Sequence, residues 1–169
     1  MTFEVGDWVV HPQHGVGQVV NLDDREFEPG VIQRYYELSM SGGSTLWVPV
    51  DAARPALRKP AERSEIVHCR EILLSRPAPL VGEVRSRQAE LTTRLRQGTI
   101  FTFCEVVRDL YAHGEHRSLY GTIAGFFRQT QNVLCQEWAA VEQVTLPQAF
   151  EEVNSLLEKS REAVSERKK

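Results

Sequence analysis

Residues 3–17 read FEVGDWVVHPQHGVG and carry the clearest structural signal in the chain. The β-branched and aromatic residues before residue 11 favour a strand, and Pro12 ends it because proline cannot donate to a strand ladder. Gly15 then lets the chain reverse, since glycine accepts backbone angles that other residues avoid. The stretch therefore predicts a strand, a turn and the start of a second strand.

The β pattern continues to residue 50. Further strands are predicted at residues 18–22, 32–40 and 45–50. Residues 23–30 are polar and acidic, and Pro29-Gly30 is a turn signal, so we predict an irregular connection there. Four or five short strands in about fifty residues favour a small, strongly bent sheet or open barrel.

A helical pattern follows a linker at residues 51–60, which contains two prolines. Apolar residues then recur at helical spacing. Helices are predicted from about residue 64, at 82–97, at 99–111 (ended by His113-Gly114), at 118–140, and from Thr145 onward, with Thr145 as N-cap and Pro147 just inside. The expected fold class is α+β, with a β domain at residues 1–55 and a helical domain at residues 61–169.

The overall composition is that of a globular chain, with 41% hydrophobic and 25% charged residues. No apolar run approaches the roughly 20 residues that span a bilayer. The first residues lack the basic start and apolar core of a signal peptide. We therefore expect a cytoplasmic protein that does not enter a membrane.

Charge is distributed unevenly along the chain. Residues 1–57 hold three bases against eight acids, a net of −5, whereas residues 58–169 hold seventeen bases against fifteen acids, a net of +2. The N-terminal part is therefore a poor candidate for binding phosphates. Four arginines lie on the predicted helix at 82–97, namely Arg85, Arg87, Arg94 and Arg96. They form either a phosphate-facing strip or an ordinary solvated face.

The three cysteines are Cys69, Cys104 and Cys135. Their odd number and long spacing indicate neither a disulfide framework nor a metal knuckle. Helix-like sequence surrounds each of them, so we expect them to pack in the core.

Histidines give little support for catalysis. Cys104 is followed by His113 and His116, but no glycine-rich oxyanion turn lies nearby. His11 and His14 lack a third metal ligand beside them. We therefore predict no enzyme activity, no cofactor and no metal.

Protein binding is the better-supported activity of the β domain. It contains two tryptophans and two tyrosines in a short span, namely Trp8, Trp47, Tyr35 and Tyr36, some of which must form its core. Arg25 and Phe27 lie in the acidic stretch, where an exposed arginine and aromatic would suit an interface, as would an ordinary surface loop. The edge of such a sheet can also accept a partner's strand.

These features resemble the CarD/CdnL family of bacterial transcription regulators. Residues 3–17 resemble the opening of the family's N-terminal domain, and residues 46–50 (LWVPV) resemble its end. Residues 105–111 (EVVRDLY), preceded by Gly98, match a characteristic family stretch, and residues 118–121 resemble the start of the family's next helix. The N-terminal motif is shared with transcription-repair coupling factors, but the second motif and the short chain favour the CarD type.

The resemblance covers about residues 3–140 and implies both a fold and a function. It implies a Tudor-like bent β-barrel that binds the β subunit of RNA polymerase near its β1 lobe. It also implies a helical domain that contacts promoter DNA at the upstream edge of the melted region and so stabilises the open complex. The helix from Thr145 is an extra element that some members carry, and we expect a monomer.

Specific residues follow from the resemblance. The polymerase-contacting positions correspond to Arg25, Glu26, Phe27 and Trp47. The DNA-contacting positions correspond to Val84, Arg85, Arg87 and Arg94. The family's DNA-wedging tryptophan falls on Val84, which leaves open an alternative in which the chain is a polymerase- or protein-binding adaptor without DNA contact.

Overall fold

The computed structural model describes residues 2–52, 57–80, 84–116 and 122–166. The chain divides into two compact units, Met1–Pro60 and Ala61–Lys169. Within the described ranges, four strands and one short 3-10 turn form the first unit, and five α-helices form the second. This confirms the predicted α+β class.

Four strands form an antiparallel meander with the order β1-β2-β3-β4. Their bounds are β1 Trp8–His11, β2 Gly15–Glu28, β3 Val31–Met40 and β4 Thr45–Pro49, followed by the 3-10 turn Val50–Ala52. The prediction of a connection was wrong for residues 23–28, because β2 continues to Glu28 and pairs with β3, whereas the turn predicted at Pro29-Gly30 is confirmed. The part of the β2–β3 hairpin that lies beyond the core is largely exposed on both faces. Residues 23–28 therefore lack the apolar alternation from which a strand is recognised.

The turn between β1 and β2 forms as the sequence predicted. β1 ends at His11, before Pro12, and Gly15 has a φ of +82°. Nδ1 of His11 accepts hydrogen bonds from the backbone N–H groups of Gln13 (3.1 Å) and His14 (3.3 Å). Burial, and then the nearby His14 ring, lower the pKa of His11 to about 4. The imidazole is therefore neutral near pH 7, which leaves Nδ1 available as an acceptor.

One face of the sheet supplies the core of the first unit. Its buried residues are Phe3, Val9, Val19, Tyr36, Leu38, Met40, Val48 and Leu57. The Tyr36 hydroxyl accepts a hydrogen bond from the backbone N–H of Phe3 at 3.1 Å, which satisfies a buried polar atom. Arg58, which the sequence placed in a linker, exchanges two backbone hydrogen bonds with Val10, at 2.8 and 3.2 Å. Residues 57–58 thus belong to the β unit.

Five helices make the second unit. They are α1 Arg63–Leu74, α2 Val84–Gln97, α3 Ile100–His116, α4 Thr122–Glu142 and α5 Leu146–Glu166. The prediction that His113-Gly114 ends α3 was wrong, since the helix continues to His116. A glycine inside a helix costs only about 1 kcal/mol relative to alanine, which tertiary packing readily offsets, and Gly114 lies in the last turn. The predicted helix start at residues 118–121 lies outside the described residues.

The helical core is contributed mainly by α1, α3, α4 and α5. It contains the fully buried Ile66, Leu73, Phe103, Leu110, Leu134 and Trp138. All three cysteines are buried as free thiols, which confirms their predicted packing role. Burial raises the pKa of Cys104 well above its usual value and that of Cys135 to about 12. A thiol of this kind stays protonated, which argues against Cys104 as a nucleophile.

The C-terminal helix is an integral part of this unit. Thr145 caps α5 as predicted, accepting from the N–H of Gln148 at 3.4 Å while its own N–H donates to the Gln148 side chain at 2.9 Å. Arg70 of α1 bonds both Glu142 (2.9 Å) and Glu152 (2.7 Å). These ion pairs, together with buried Val153 and Leu157, fix α5 against α1 and α4.

Candidate functional site

Four side chains meet on the outward face of the β2–β3–β4 sheet. The guanidinium carbon of Arg25 lies 4.6 Å from the centroid of the Trp47 ring. The Phe27 ring packs edge-on against Tyr35 at 4.8 Å and against Trp47 at 6.1 Å. We call Arg25, Phe27, Tyr35 and Trp47 the Trp47 cluster.

Strand register places these residues together. Tyr36 pairs with Val48, and both point into the core, so their neighbours Tyr35 and Trp47 point outward. Arg25 reaches the same face from β2, across from Gln33. The cluster is therefore a direct product of the alternation that buries the opposite face.

The cluster combines a cation with exposed aromatic surface. Nε of Arg25 lies 3.2 Å from Asp23 Oδ2, and the Arg25 side chain is 46% exposed. Phe27 is 57% exposed, an unusual degree for a phenylalanine. A partner carboxylate could bond the remaining guanidinium N–H groups while apolar atoms cover Phe27.

Glu26 does not join the cluster, although the family resemblance places it with Arg25 and Phe27 among the polymerase-contacting positions. Its carboxylate accepts a hydrogen bond from the backbone N–H of Gly30 at 2.7 Å, which closes the hairpin turn. Alternation along β2 turns it away from Arg25. Tyr35 was missed as a site residue, although its position one residue before the core-facing Tyr36 could have indicated an outward direction.

The arginines of α2 take two different environments. Nη1 of Arg87 lies 3.5 Å from Nε2 of His113, and Nη2 of Arg94 donates to Glu105 at 3.1 Å. Both partners lie on α3, and the neighbouring Leu91 is buried. The structure therefore directs these two arginines toward α3.

The opposite face of α2 carries Arg96, which is exposed. Arg85 is 11 residues away, about 20° around the helix, so its position shares that face. Val84 and Arg85 lie in the first turn of α2, but their side chains lie outside the described residues. The α2 site thus has an α3-facing pair, Arg87 and Arg94, and a solvent-facing position at Arg96.

Comparison with known proteins accounts for both units. Residues 3–60 match the family model described as CarD-like/TRCF RID domain, and residues 69–154 match CarD, C-terminal domain. The chain belongs to the CarD family. This CarD-family chain is also 24% identical over 145 residues to "Putative transcription factor YdeB" of Bacillus subtilis (strain 168), covering 85% of this chain and 94% of that protein. The CarD-family chain is a transcription regulator.

Two features of the residues that the structure describes bear on other classes of function. In residues 2–52, 57–80, 84–116 and 122–166, no helix has both the length and the apolar character that crossing a bilayer requires. Across the same ranges, no three His, Cys, Asp or Glu side chains converge in a way that could hold a metal ion.

Proposed function

We propose that the chain binds the β subunit of RNA polymerase, near its β1 lobe, through the Trp47 cluster. The observation that carries this proposal is the convergence of Arg25, Phe27 and Trp47 on one exposed face. These are three of the four residues that the family resemblance assigns to polymerase contact. Arginine and aromatic side chains are the residue types that most often dominate binding energy at interfaces.

The proposal predicts a charge-specific loss of binding. Arg25→Glu in the full chain should weaken capture of the isolated polymerase β subunit by tenfold or more, because reversing an interfacial charge removes an attraction and introduces a repulsion. A tenfold loss corresponds to about 1.4 kcal/mol. Arg34→Glu is a matched control, because Arg34 is also exposed on β3 but lies opposite Asp24 in the strand register, on the other face of the sheet. Equal binding by wild type and Arg25→Glu would contradict the proposed tether.

We propose further that α2 contacts promoter DNA at the upstream edge of the melted region. The net charge of +2 on residues 58–169 and the exposed Arg96 support this assignment. A protein that binds the melted state more tightly than the closed state shifts the population toward the open complex. Val84, Arg85, Arg87 and Arg94 are the remaining proposed contacts.

A second candidate function is an adaptor that binds polymerase or another protein without touching DNA. The contacts of Arg87 and Arg94 with α3 favour it, since side chains engaged there are not directed at a phosphate. Footprinting of a promoter complex with wild type and Arg96→Glu separates the two functions. Upstream protection that Arg96→Glu reduces supports DNA contact. If the wild type binds polymerase but adds no upstream protection, the adaptor is supported. The adaptor is also supported if Val84→Trp lengthens the open-complex lifetime while the wild type has no effect on it.

A further inference from the structure

Two prolines flank Ala78 in the connection between α1 and α2, which reads SRPAPL at residues 75–80. Because proline has no backbone N–H, Ala78 supplies the single amide hydrogen of the Pro-Ala-Pro tripeptide. Oδ1 of Asp109, on α3, accepts this hydrogen at 2.9 Å. One hydrogen bond therefore attaches the middle of the connection to α3.

Arg108 holds the accepting oxygen in place. Its Nε and Nη2 both lie 2.8 Å from Asp109 Oδ1, and the two side chains are only 12% and 4% exposed. Adjacent helix residues ordinarily point in different directions, so this pairing depends on what surrounds it. The low exposure strengthens the ion pair and makes loss of either partner costly.

The same arginine closes the C-terminal end of α1. Nη1 of Arg108 donates to Ser75 Oγ at 2.6 Å and lies 3.4 Å from the carbonyl oxygen of Ile72. A cation at this end of a helix satisfies its last carbonyl groups and complements the helix dipole. Ser160 of α5 adds a hydrogen bond to the carbonyl of Ser75 at 3.2 Å. The connection is thus attached at its start by α3 and α5, and at its middle by Asp109.

We propose that Arg108 and Asp109 are positioning residues that set where the N-terminal end of α2 lies against α3. This inference rests on the proposed DNA contact for its functional consequence, because Val84 and Arg85 occupy that end. Ala78 and Val84 are six positions apart in the chain, and such a stretch reaches at most about 20 Å. Leu91 and Leu95 bury the later turns of α2 independently, so the pair governs mainly its first turns.

The mobility of a spin label reports how firmly the N-terminal end of α2 is held against α3. Ser86 is exposed on the first turns of α2, and the native cysteines are buried, so Ser86→Cys takes the label selectively in the folded protein. The label is compared in otherwise wild-type protein, in Asp109→Ala and in Asp109→Asn. Asn154→Ala is the control for loss of a side-chain hydrogen bond elsewhere in the same unit, because Asn154 accepts a 2.7 Å hydrogen bond from Gln131 between α4 and α5.

Asp109→Ala should make the label more mobile and speed hydrogen exchange of the Ala78 amide by about tenfold, as expected for the loss of one hydrogen bond to a charged group. Asp109→Asn, which keeps an acceptor but not the charge, should lie between. Label mobility and Ala78 exchange in Asp109→Ala that match Asn154→Ala would overturn the inference.

Open-complex lifetime separates this inference from the function on which it rests. A lifetime that wild type lengthens and Asp109→Ala shortens, with polymerase binding unchanged, supports both. If wild type leaves the lifetime unchanged while the label still responds to Asp109→Ala, the DNA proposal fails and the positioning role stands.

Discussion

Arg25 and Trp47 come from strands that are not neighbours, yet the Arg25 guanidinium carbon lies 4.6 Å from the centre of the indole ring. β3 separates the two strands, so Arg25 must extend across the sheet surface to reach the ring. This contact orients the guanidinium, which is only half exposed, without occupying all its N–H groups.

Replacing the indole should therefore weaken partner binding more than it weakens the fold. Trp47→Ala removes a cation–π contact of about 0.5–1 kcal/mol together with aromatic contact area, so we expect a five- to tenfold loss of affinity for polymerase β, roughly 1–1.4 kcal/mol. Trp47→Phe should lose less. Trp8→Ala is the control, since Trp8 is also about half exposed (52%) and lies on β1, the edge strand farthest from β4. The measurement is a binding titration, and equal effects at Trp8 and Trp47 would argue against the cluster.

The Arg94–Glu105 ion pair gives a test of the DNA contact from the opposite direction. If Arg94 binds phosphate, Glu105 competes for it, so Glu105→Gln should raise promoter-DNA affinity. One added phosphate contact should also steepen the dependence of log K on log salt by about 0.9. Glu158→Gln, an exposed acid on α5, controls for the change in net charge. A titration across salt concentrations that shows the same slope for both variants would exclude Arg94 as a contact.

His11 predicts an acid-dependent loss of stability in the first unit. Its pKa is lowered to about 4 by burial and by His14, whereas the unfolded chain has the usual value near 6.5. The unfolded state therefore binds more protons between these values, and stability falls as pH drops from 6.5 to 4. Urea unfolding, followed by NMR signals of residues in the first unit, should show this decline.

Variants of the same turn assign that decline to His11. His11→Asn keeps a short polar acceptor without a titrating ring, so its stability should vary less over this pH range. His14→Asn should retain most of the dependence, because burial is the larger cause of the lowered pKa. An NMR titration of His11 with a midpoint near 6.5 would contradict the prediction.

Gln143 offers a stabilising substitution at the end of α4. It has a φ of +57°, in the left-handed region that glycine prefers, and the next amide, of Val144, donates to Ala139 at 3.1 Å. This is the hydrogen bond of a Schellman helix end, which usually carries glycine. Gln143→Gly should raise the free energy of unfolding by about 0.5–1 kcal/mol, measured by urea denaturation. Gln143→Ala relieves no strain and should not stabilise.

Much of this architecture was readable from local chemistry. Pro12 and Gly15 predicted the end of β1 and the reversal after it, and Thr145 predicted the cap of α5. Each is a short-range effect that one or two residues decide. The misread extents of β2 and α3 concern elements stabilised from outside their own sequence. β2 extends to Glu28 because β3 pairs with it, and α3 passes through Gly114 in a packed helical unit.

The candidate site likewise combines features that the sequence indicated with contacts that only the tertiary structure decided. The sequence by itself indicated Arg25, Phe27 and Trp47 as candidate contacts through the family resemblance, and it determined that the helical half carries the net basic charge, because charge is a local property. Tertiary structure alone decided that these three meet on one face with Tyr35 while Glu26 closes a turn, and that Arg94 faces Glu105 whereas Arg96 faces solvent. Strand register and helix packing bring together residues far apart in the chain, so no local pattern specifies these contacts. The hydrogen bond that the Ala78 N–H donates to Asp109, 31 residues away, is one such contact.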